Sequence, residues 1–488
     1  MSNGPRLNTF TTNFTTRDSL GVESVATSIS AEICPIINTV TPRPFYWAFM
    51  CWIYYDYYKS VSVEKRTYKS FDQFLKRQDY FFVLSQLLID GSDRNNLVGI
   101  EKTTEDLNNN ESGLFECNRA YFKTQFGGMQ YFNAGLFSMG YIFYRRDENG
   151  KESEFPTLTG DCEKMALAFQ NVIKDTEYFK NTDYRLKENP VPREVLVEYG
   201  NTINLALKGF DDCKTLLKES LFSDRVNNQS YNYALFLSKE ENIYLTDRAD
   251  ARNVLYDYYS PRGDKRSYPS ELKEIINNWE IVIGRQYFAA SLELIWKYML
   301  SVLERPKTKK EWIEYCLNDS TFDIDINNKL ESIISDCNYT FSEREEMIKS
   351  GSSNSKSANY GMNVVNGLKV LLSVHNRFKN RDDYSDNSKQ YLIYGSPISI
   401  IELEKIVNEY SNKPIYEFIT FIMDKWLIDH HYATALEKLY GGRDGFYFEL
   451  IDGYYFKKSD FGFGFQGNRF IQLMQVMKDL DLITGGAE

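Results

Sequence analysis

The sequence predicts a mainly α-helical fold, with a large helical body and a C-terminal helical module that carries a β-hairpin. Apolar residues recur at spacings of three and four over long segments, which is typical of helices with a buried face. The dipeptide Asp452-Gly453 lies between two short aromatic runs and is typical of a tight hairpin turn. With 42% hydrophobic residues in 488, the chain can bury a large core without disulfides or metals.

The N-terminal region contains an unusually aromatic segment, Phe45 to Tyr58. Its aromatic side chains surround the helix, so we expect burial on all sides, with Trp47 and Trp52 in the core. Asp56 should then be paired, because an isolated buried carboxylate is costly. The segment is shorter than the roughly 20 apolar residues that a membrane span needs, so no membrane contact is predicted.

The clearest helical stripe lies between Ile281 and Leu303. Its apolar positions follow one another at intervals of four and three residues, which places them on one helix face. We therefore expect the following residues in the core: Phe288, Leu292, Ile295 and Met299.

Helix starts are marked by three capping boxes, in which a hydroxyl and a glutamate three residues later satisfy free backbone N–H groups. They are Thr308-x-x-Glu311, Ser342-x-x-Glu345 and Ser399-x-x-Glu402. Their meaning is structural, and each predicts the first turn of a helix.

Composition divides the chain into four regions. Residues 1–20 are predicted to be a flexible arm, 21–349 the helical body, 350–360 a serine-rich linker, and 361–488 the C-terminal module. A hairpin is predicted at 446–457. Helices followed by a two-stranded hairpin have the element order of a winged helix, so the module is expected to be winged-helix-like.

Charge and cysteine content exclude several classes of protein. The net charge of −11 argues against a surface that binds nucleic acid throughout, although a local basic groove is compatible with it. The candidate phosphate contacts are Lys457 and Lys458 at the hairpin end, with Arg469 at the start of the last helix.

The seven cysteines lack metal-binding spacing and predict buried thiols in a reducing cytoplasm. The polar stretch before residue 18 lacks the apolar core of a secretory signal.

Two short motifs match functional consensus patterns in residue type but not in the structural context that the function needs. Gly462 to Gly467 matches GxGxxG, but the chain ends before a further strand and acidic residue could follow, so we expect a flexible turn. The triplet Asp429-His430-His431 resembles that of some phosphoesterases, whose metal sites need further Asp and His clusters. We therefore predict a helix segment with one ring inside and one at the surface.

A nuclease metal site would need an acidic residue and E-x-K on an adjacent strand. Asp257 with Glu271-Leu-Lys273 matches these letters, but the preceding proline predicts Glu271 in the first turn of a helix. The sequence contains neither the phosphate-binding loop GxxxxGK[ST] nor the hydrolase motif GxSxG. No catalytic, cofactor-binding or metal-binding residue is predicted, and the balance is against an enzyme.

Two stretches resemble a known group of proteins. One runs from Arg17-Asp-Ser-Leu-Gly-Val-Glu to Trp52, and the other joins His430-His-Tyr-Ala-Thr-Ala-Leu-Glu to Asp444-Gly-Phe and Asp452-Gly453. Together they cover about a fifth of the chain. They resemble uncharacterised, mostly helical bacterial proteins of anti-phage defence islands, often found beside an ATPase or nuclease. The resemblance implies a subunit role and assigns no active-site residue.

Three functional hypotheses follow. The first is a cytoplasmic, non-catalytic accessory or scaffold subunit of a bacterial anti-phage defence assembly, contacting an ATPase or nuclease effector. Dense aromatic residues favour it, because Tyr, Trp and Phe are enriched at protein interfaces. The alternatives are a nucleic-acid-binding sensor that uses the C-terminal winged module, and a nuclease whose site is assembled from distant acidic residues.

Overall fold

The structure is a computed structural model that describes most of the chain. The described residues are 13–14, 18–38, 43–94, 97–110, 112–117, 133–146, 148–153, 155–187, 189–224, 226–257, 268–352, 360–394, 397–465, 467 and 469–484. They form two compact units, each discontinuous in sequence. The first unit comprises Met1–Ser30 and Ala249–Gly467, and the second comprises Ala31–Arg248 and Asn468–Glu488.

Helices account for most of the described residues, as predicted. Up to residue 256 they are α1 (Glu23–Ile33), α2 (Phe45–Ser60), α3 (Tyr68–Leu88), α4 (Ile100–Asn109), α5 (Asn133–Ser138), α6 (Gly160–Ile173), α7 (Glu177–Lys180), α8 (Thr182–Leu186), α9 (Arg193–Thr202), α10 (Asp211–Leu221), α11 (Gln229–Lys239) and α12 (Arg248–Tyr256). After it they are α13 (Lys273–Val302), α14 (Lys309–Leu317), α15 (Glu331–Ile334), α16 (Phe341–Ser352), α17 (Met362–Phe378), α18 (Asp386–Ile393), α19 (Ile400–Tyr410), α20 (Ile415–Phe421), α21 (His430–Tyr440) and α22 (Arg469–Asp479). Ile422–Asp429 is a π-helical segment, and Val63–Lys65 and Ser270–Leu272 are 3₁₀ turns.

The strands are short and pair in small sheets. They are β1 (Asn13–Phe14), β2 (Leu114–Phe115), β3 (Ile142–Phe143), β4 (Thr157–Leu158), β5 (Val191–Pro192), β6 (Lys307–Thr308), β7 (Arg443–Asp444), β8 (Phe448–Ile451) and β9 (Tyr454–Lys457). The predicted hairpin is formed by β8 and β9, and β6 adds a third strand in the order β6-β9-β8. Both turn residues have positive φ, 50° at Asp452 and 83° at Gly453, as the predicted turn requires.

The aromatic helix α2 lies in the core of the second unit. Trp47 and Trp52 are fully buried, which confirms their predicted placement. Phe45 stacks on Phe82 of α3, with ring centroids 4.5 Å apart, and Trp52 stacks on a phenylalanine of α6. Asp56 is paired with the buried guanidinium of Arg185, also as expected. No helix in the described ranges combines the length and apolar character that crossing a bilayer requires.

The first unit is organised around α13, a helix of 30 residues that is buried over most of its length. The predicted core stripe is confirmed, and Leu292 has no exposed surface. Helix α13 packs closely against α17. A Cβ atom on Gly367 would lie 2.6 Å from the backbone oxygen of Ser291, so only glycine allows the two helices this approach.

One of the three predicted capping boxes is misplaced. The box at Thr308 is present in full, and the Ser399 hydroxyl accepts from the N–H three residues later. At α16, however, the capping pair is Thr340 with Glu343 rather than Ser342 with Glu345. Glu345 instead binds the guanidinium of Arg252, with N–O distances of 2.5 and 2.8 Å. This ion pair takes Glu345 away from the helix start.

The predicted regional boundaries remain predictions. Most of the proposed arm lies outside the described residues, but Asn13–Phe14 pair with β7 in parallel. In the proposed linker, residues 350–352 belong to α16 and 353–359 lie outside the described residues.

Candidate interaction surface

The three-stranded sheet of the first unit has one covered face and one open face. Residues that pair across strands share a face, and neighbours along a strand alternate. Phe448 and Tyr455 point inward and pack on the ring of Trp312. The register pairs Ile451 with Tyr454 on the opposite face. The sheet therefore covers the core with Phe448 and Tyr455, while Leu450 on the same face is 45% exposed, and the other face is available for contact.

The open face is apolar at its centre. Ile451 and Tyr454 lie directly opposite each other and are 49% and 45% exposed, and the half-buried Phe456 is the next residue on this face. We call these three residues the outer apolar face. Glu449, paired with Phe456 in the register, lies beside them and is exposed. The predicted hairpin signal located these strands, but only the register shows which side chains share the open face.

The two hairpin lysines are both engaged in ion pairs. Lys457 binds Asp460, and the Nζ of Lys458 lies 2.5 Å from a carboxylate oxygen of Asp444. In contrast, Glu449 and Asp452 form no ion pair with any residue that the structure describes. The unpaired charge at the hairpin is therefore acidic.

The third predicted phosphate contact, Arg469, belongs to the second unit. It is the first residue of α22, and its guanidinium donates to the backbone oxygen of Ile37. Burial lowers the pKa of Arg469 from its ordinary value. The role of Lys457, Lys458 and Arg469 in nucleic-acid binding remains a prediction.

His431, the second histidine of the Asp429-His430-His431 triplet, has a structural role. His431 is buried in the first unit, and its Nδ1 lies 3.0 Å from the backbone oxygen of Ser19. Its Nε2 accepts the backbone N–H of Tyr447 at 3.2 Å. Burial lowers the pKa of His431 to about 4, so the ring is neutral with its proton on Nδ1. Both ring nitrogens are occupied by backbone groups, which leaves no lone pair for a metal.

The two stretches that carry the family resemblance meet in the first unit. The carboxylate of Asp18 accepts the backbone N–H groups of Glu23 and Ser24 and thereby caps α1. The backbone oxygen of Asp18 accepts from Lys438, and His431 holds the neighbouring Ser19. These polar residues thus fix the start of α1 against α21. Local sequence patterns do not predict this contact, because it joins residues more than 400 positions apart.

A pair of carboxyl groups, one of them buried, lies close to this junction. Glu293 of α13 is almost fully buried and hydrogen-bonds to Glu23. Burial raises the pKa of Glu293 well above its usual value, and the charges of Glu23 and Asp18 raise it further. Gly464 and Phe465 of the predicted GxGxxG turn line a cavity of about 10 Å³ beside the pair. Such a cavity is no larger than one water molecule, so it cannot hold a dinucleotide.

Replacing Glu293 with glutamine is expected to flatten the pH dependence of stability. Because the folded pKa lies above the unfolded one, folding takes up a proton, and this stability is lost as pH rises from the usual Glu range towards the folded pKa. The variant should therefore exceed the wild type in melting temperature at neutral pH, and the two should converge in acid. Melting curves across pH, with Glu346→Gln as the exposed control, test this. Parallel curves for wild type and Glu293→Gln would contradict it.

The nuclease-like letters do not form a nuclease site. Glu271 lies in the 3₁₀ turn Ser270–Leu272 directly before α13, as predicted, and not on a strand. Asp257 is paired with Arg344. No cluster of three or more Asp, Glu, His or Cys side chains that could hold a metal occurs within the described ranges.

Comparison with protein families, with curated proteins and with solved structures finds no match to this chain.

Proposed function

We propose that this chain is a cytoplasmic, non-catalytic accessory subunit of a bacterial anti-phage defence assembly. In this proposal it binds an ATPase or nuclease effector through the outer apolar face of the C-terminal sheet. The resemblance of two stretches to defence-island proteins motivates the biological setting. The observation that carries the binding mode is the exposed pair Ile451 and Tyr454, which lie opposite each other on an open sheet face.

The charges around this face favour a protein partner over nucleic acid. A winged module that binds phosphates needs free cations at its wing, whereas Lys457 and Lys458 already have carboxylate partners. Glu449 and Asp452 leave the rim of the face acidic. A partner with an apolar centre and basic residues around it would complement both the shape and the charge of this surface.

The test is binding between the full chain and the ATPase or nuclease encoded beside its gene. The double variant Ile451→Lys/Tyr454→Lys removes the apolar centre and repels a basic rim. We expect it to raise the dissociation constant at least about tenfold, as for a residue at the centre of an interface. The fold should be retained, since both side chains are already half exposed.

The matched control is Ile393→Lys, at an isoleucine of α18 that is 61% exposed in the same unit. It should bind the partner like the wild type. Equal binding by the wild type and the double variant would contradict the proposed face. Salt-dependent DNA binding that disappears in Lys457→Glu/Lys458→Glu would instead support the nucleic-acid sensor.

A further inference from the structure

The second unit contains a large cavity that the proposed subunit role does not use. Its volume is about 1110 Å³, slightly above the roughly 300–1,000 Å³ typical of small-molecule sites. Its walls are the end of α2, the loop with the turn Val63–Lys65, the first half of α3, residues after β2, and the end of α8. All of these elements belong to the second unit.

The cavity is basic, although the chain as a whole is acidic. Among the residues that the structure describes, four cationic side chains line it and Glu116 is the single lining carboxylate, so their formal balance is 4 − 1 = +3. The cations are Lys65, Arg77, Arg185 and Lys187. Arg185 is neutralised by the buried Asp56, and Lys187 pairs with Asp183 on the surface. Lys65 and Arg77 form no ion pair within the part of the chain that the structure describes.

The proposal depends most on Arg77, a buried arginine whose guanidinium is held in a fixed orientation. It is only 6% exposed, and two backbone oxygens fix its guanidinium: Nε donates to Tyr184 at 2.9 Å and Nη2 donates to Asn189 at 2.7 Å. No described residue accepts from Nη1. A buried cation without a counter-charge is costly, and a guanidinium held in one orientation is suited to binding phosphate oxygens. An anion in the cavity would supply the missing charge.

The other lining groups fit a phosphate attached to an organic group. Gln73 provides an amide, which is a donor for phosphate oxygens. The hydroxyls of Ser60 and Ser62 already donate to Asp56 and Glu64. The side chains of Val61 and Leu186 form an apolar part of the cavity wall. We propose that this cavity binds a small phosphorylated organic anion, with Arg77 and Lys65 as its principal contacts.

Calorimetric titration of the full chain tests this, with ATP and inorganic phosphate as probes at constant ionic strength. We expect saturable binding of at least one probe, weakened about tenfold or more in Lys65→Ala/Lys187→Ala, because the variant removes two exposed lining cations, one of which, Lys65, is a principal contact. Lys69→Ala, an exposed lysine of α3 outside the cavity, should bind like the wild type. Arg77→Lys should also weaken binding, but the lysine double variant decides the test because its side chains are exposed.

Three results would overturn the proposal. The first is no saturable binding of ATP or phosphate to the wild type, and the second is equal binding by the lysine double variant. The third is tighter binding of a short single-stranded oligonucleotide than of ATP, lost in the same variant, which would assign the cavity to nucleic acid. None of these results bears on the outer apolar face, whose variants lie in the first unit.

Discussion

Replacing Glu280 with alanine is expected to destabilise the first unit by about 3–5 kcal/mol, the usual effect of breaking a buried ion pair. One carboxylate oxygen of Glu280 accepts from Arg377 and Arg381, and the other accepts the hydroxyl of Tyr384 at 2.5 Å. The variant would leave two largely buried guanidinium groups without their shared carboxylate. Glu280→Gln should also be destabilising. It keeps the hydrogen bond to Tyr384, but it removes the negative charge that pairs with the two arginines.

Hydrogen exchange of the α13 amides gives the opening free energy of this helix in the full chain. Glu346→Ala, at an exposed glutamate of α16, is the control and should change stability by no more than about 0.5 kcal/mol. A loss below about 1 kcal/mol for Glu280→Ala would mean that the network contributes little.

Replacing Leu292 with alanine is expected to cost about 2–5 kcal/mol, because it leaves a cavity in a closely packed core. Leu292 is fully buried on α13, and the adjacent Ser291 lies against Gly367 of α17. With the helices in such close contact, the structure has little freedom to collapse into the space. The same exchange measurement applies, and the volume-conserving control Leu292→Met should cost less than about 1.5 kcal/mol. A similar loss in both variants would argue against a cavity effect.

Periodicity predicted the helices and much of the core, because apolar spacing depends only on neighbouring residues. It could not predict that α13 is buried on nearly all sides, since polar residues interrupt its apolar stripe. Glu280 and Glu293 become compatible with burial only through partners distant in sequence, such as Arg377 and Glu23. Their partners could not be identified from local spacing.

The misplaced cap of α16 has a related cause. Thr340 and Ser342 each precede a glutamate by three residues, so both match the capping pattern. The choice between them follows from the pairing of Glu345 with Arg252, far away in sequence. Lys458 behaves similarly, because its partner Asp444 lies 14 residues away in sequence and becomes a neighbour only in the folded chain.

The candidate surface was therefore only partly predictable. The Asp452-Gly453 signal gave the hairpin and its turn. The face assignment of Ile451 and Tyr454 depended on the observed register, and their exposure depended on what packs beneath the sheet. The basic cavity was not predictable, because Lys65, Arg77 and Lys187 come from separate elements that only the fold of the second unit brings together.

Hydrogen–deuterium exchange of the full chain, alone and with the effector encoded beside its gene, tests the central claim most directly. The proposed function predicts slower exchange on partner binding at residues 448–457, which include the outer apolar face. The double variant Ile451→Lys/Tyr454→Lys should lose this protection, and Ile393→Lys should keep it. Protection elsewhere, with unchanged exchange at 448–457, would contradict the account.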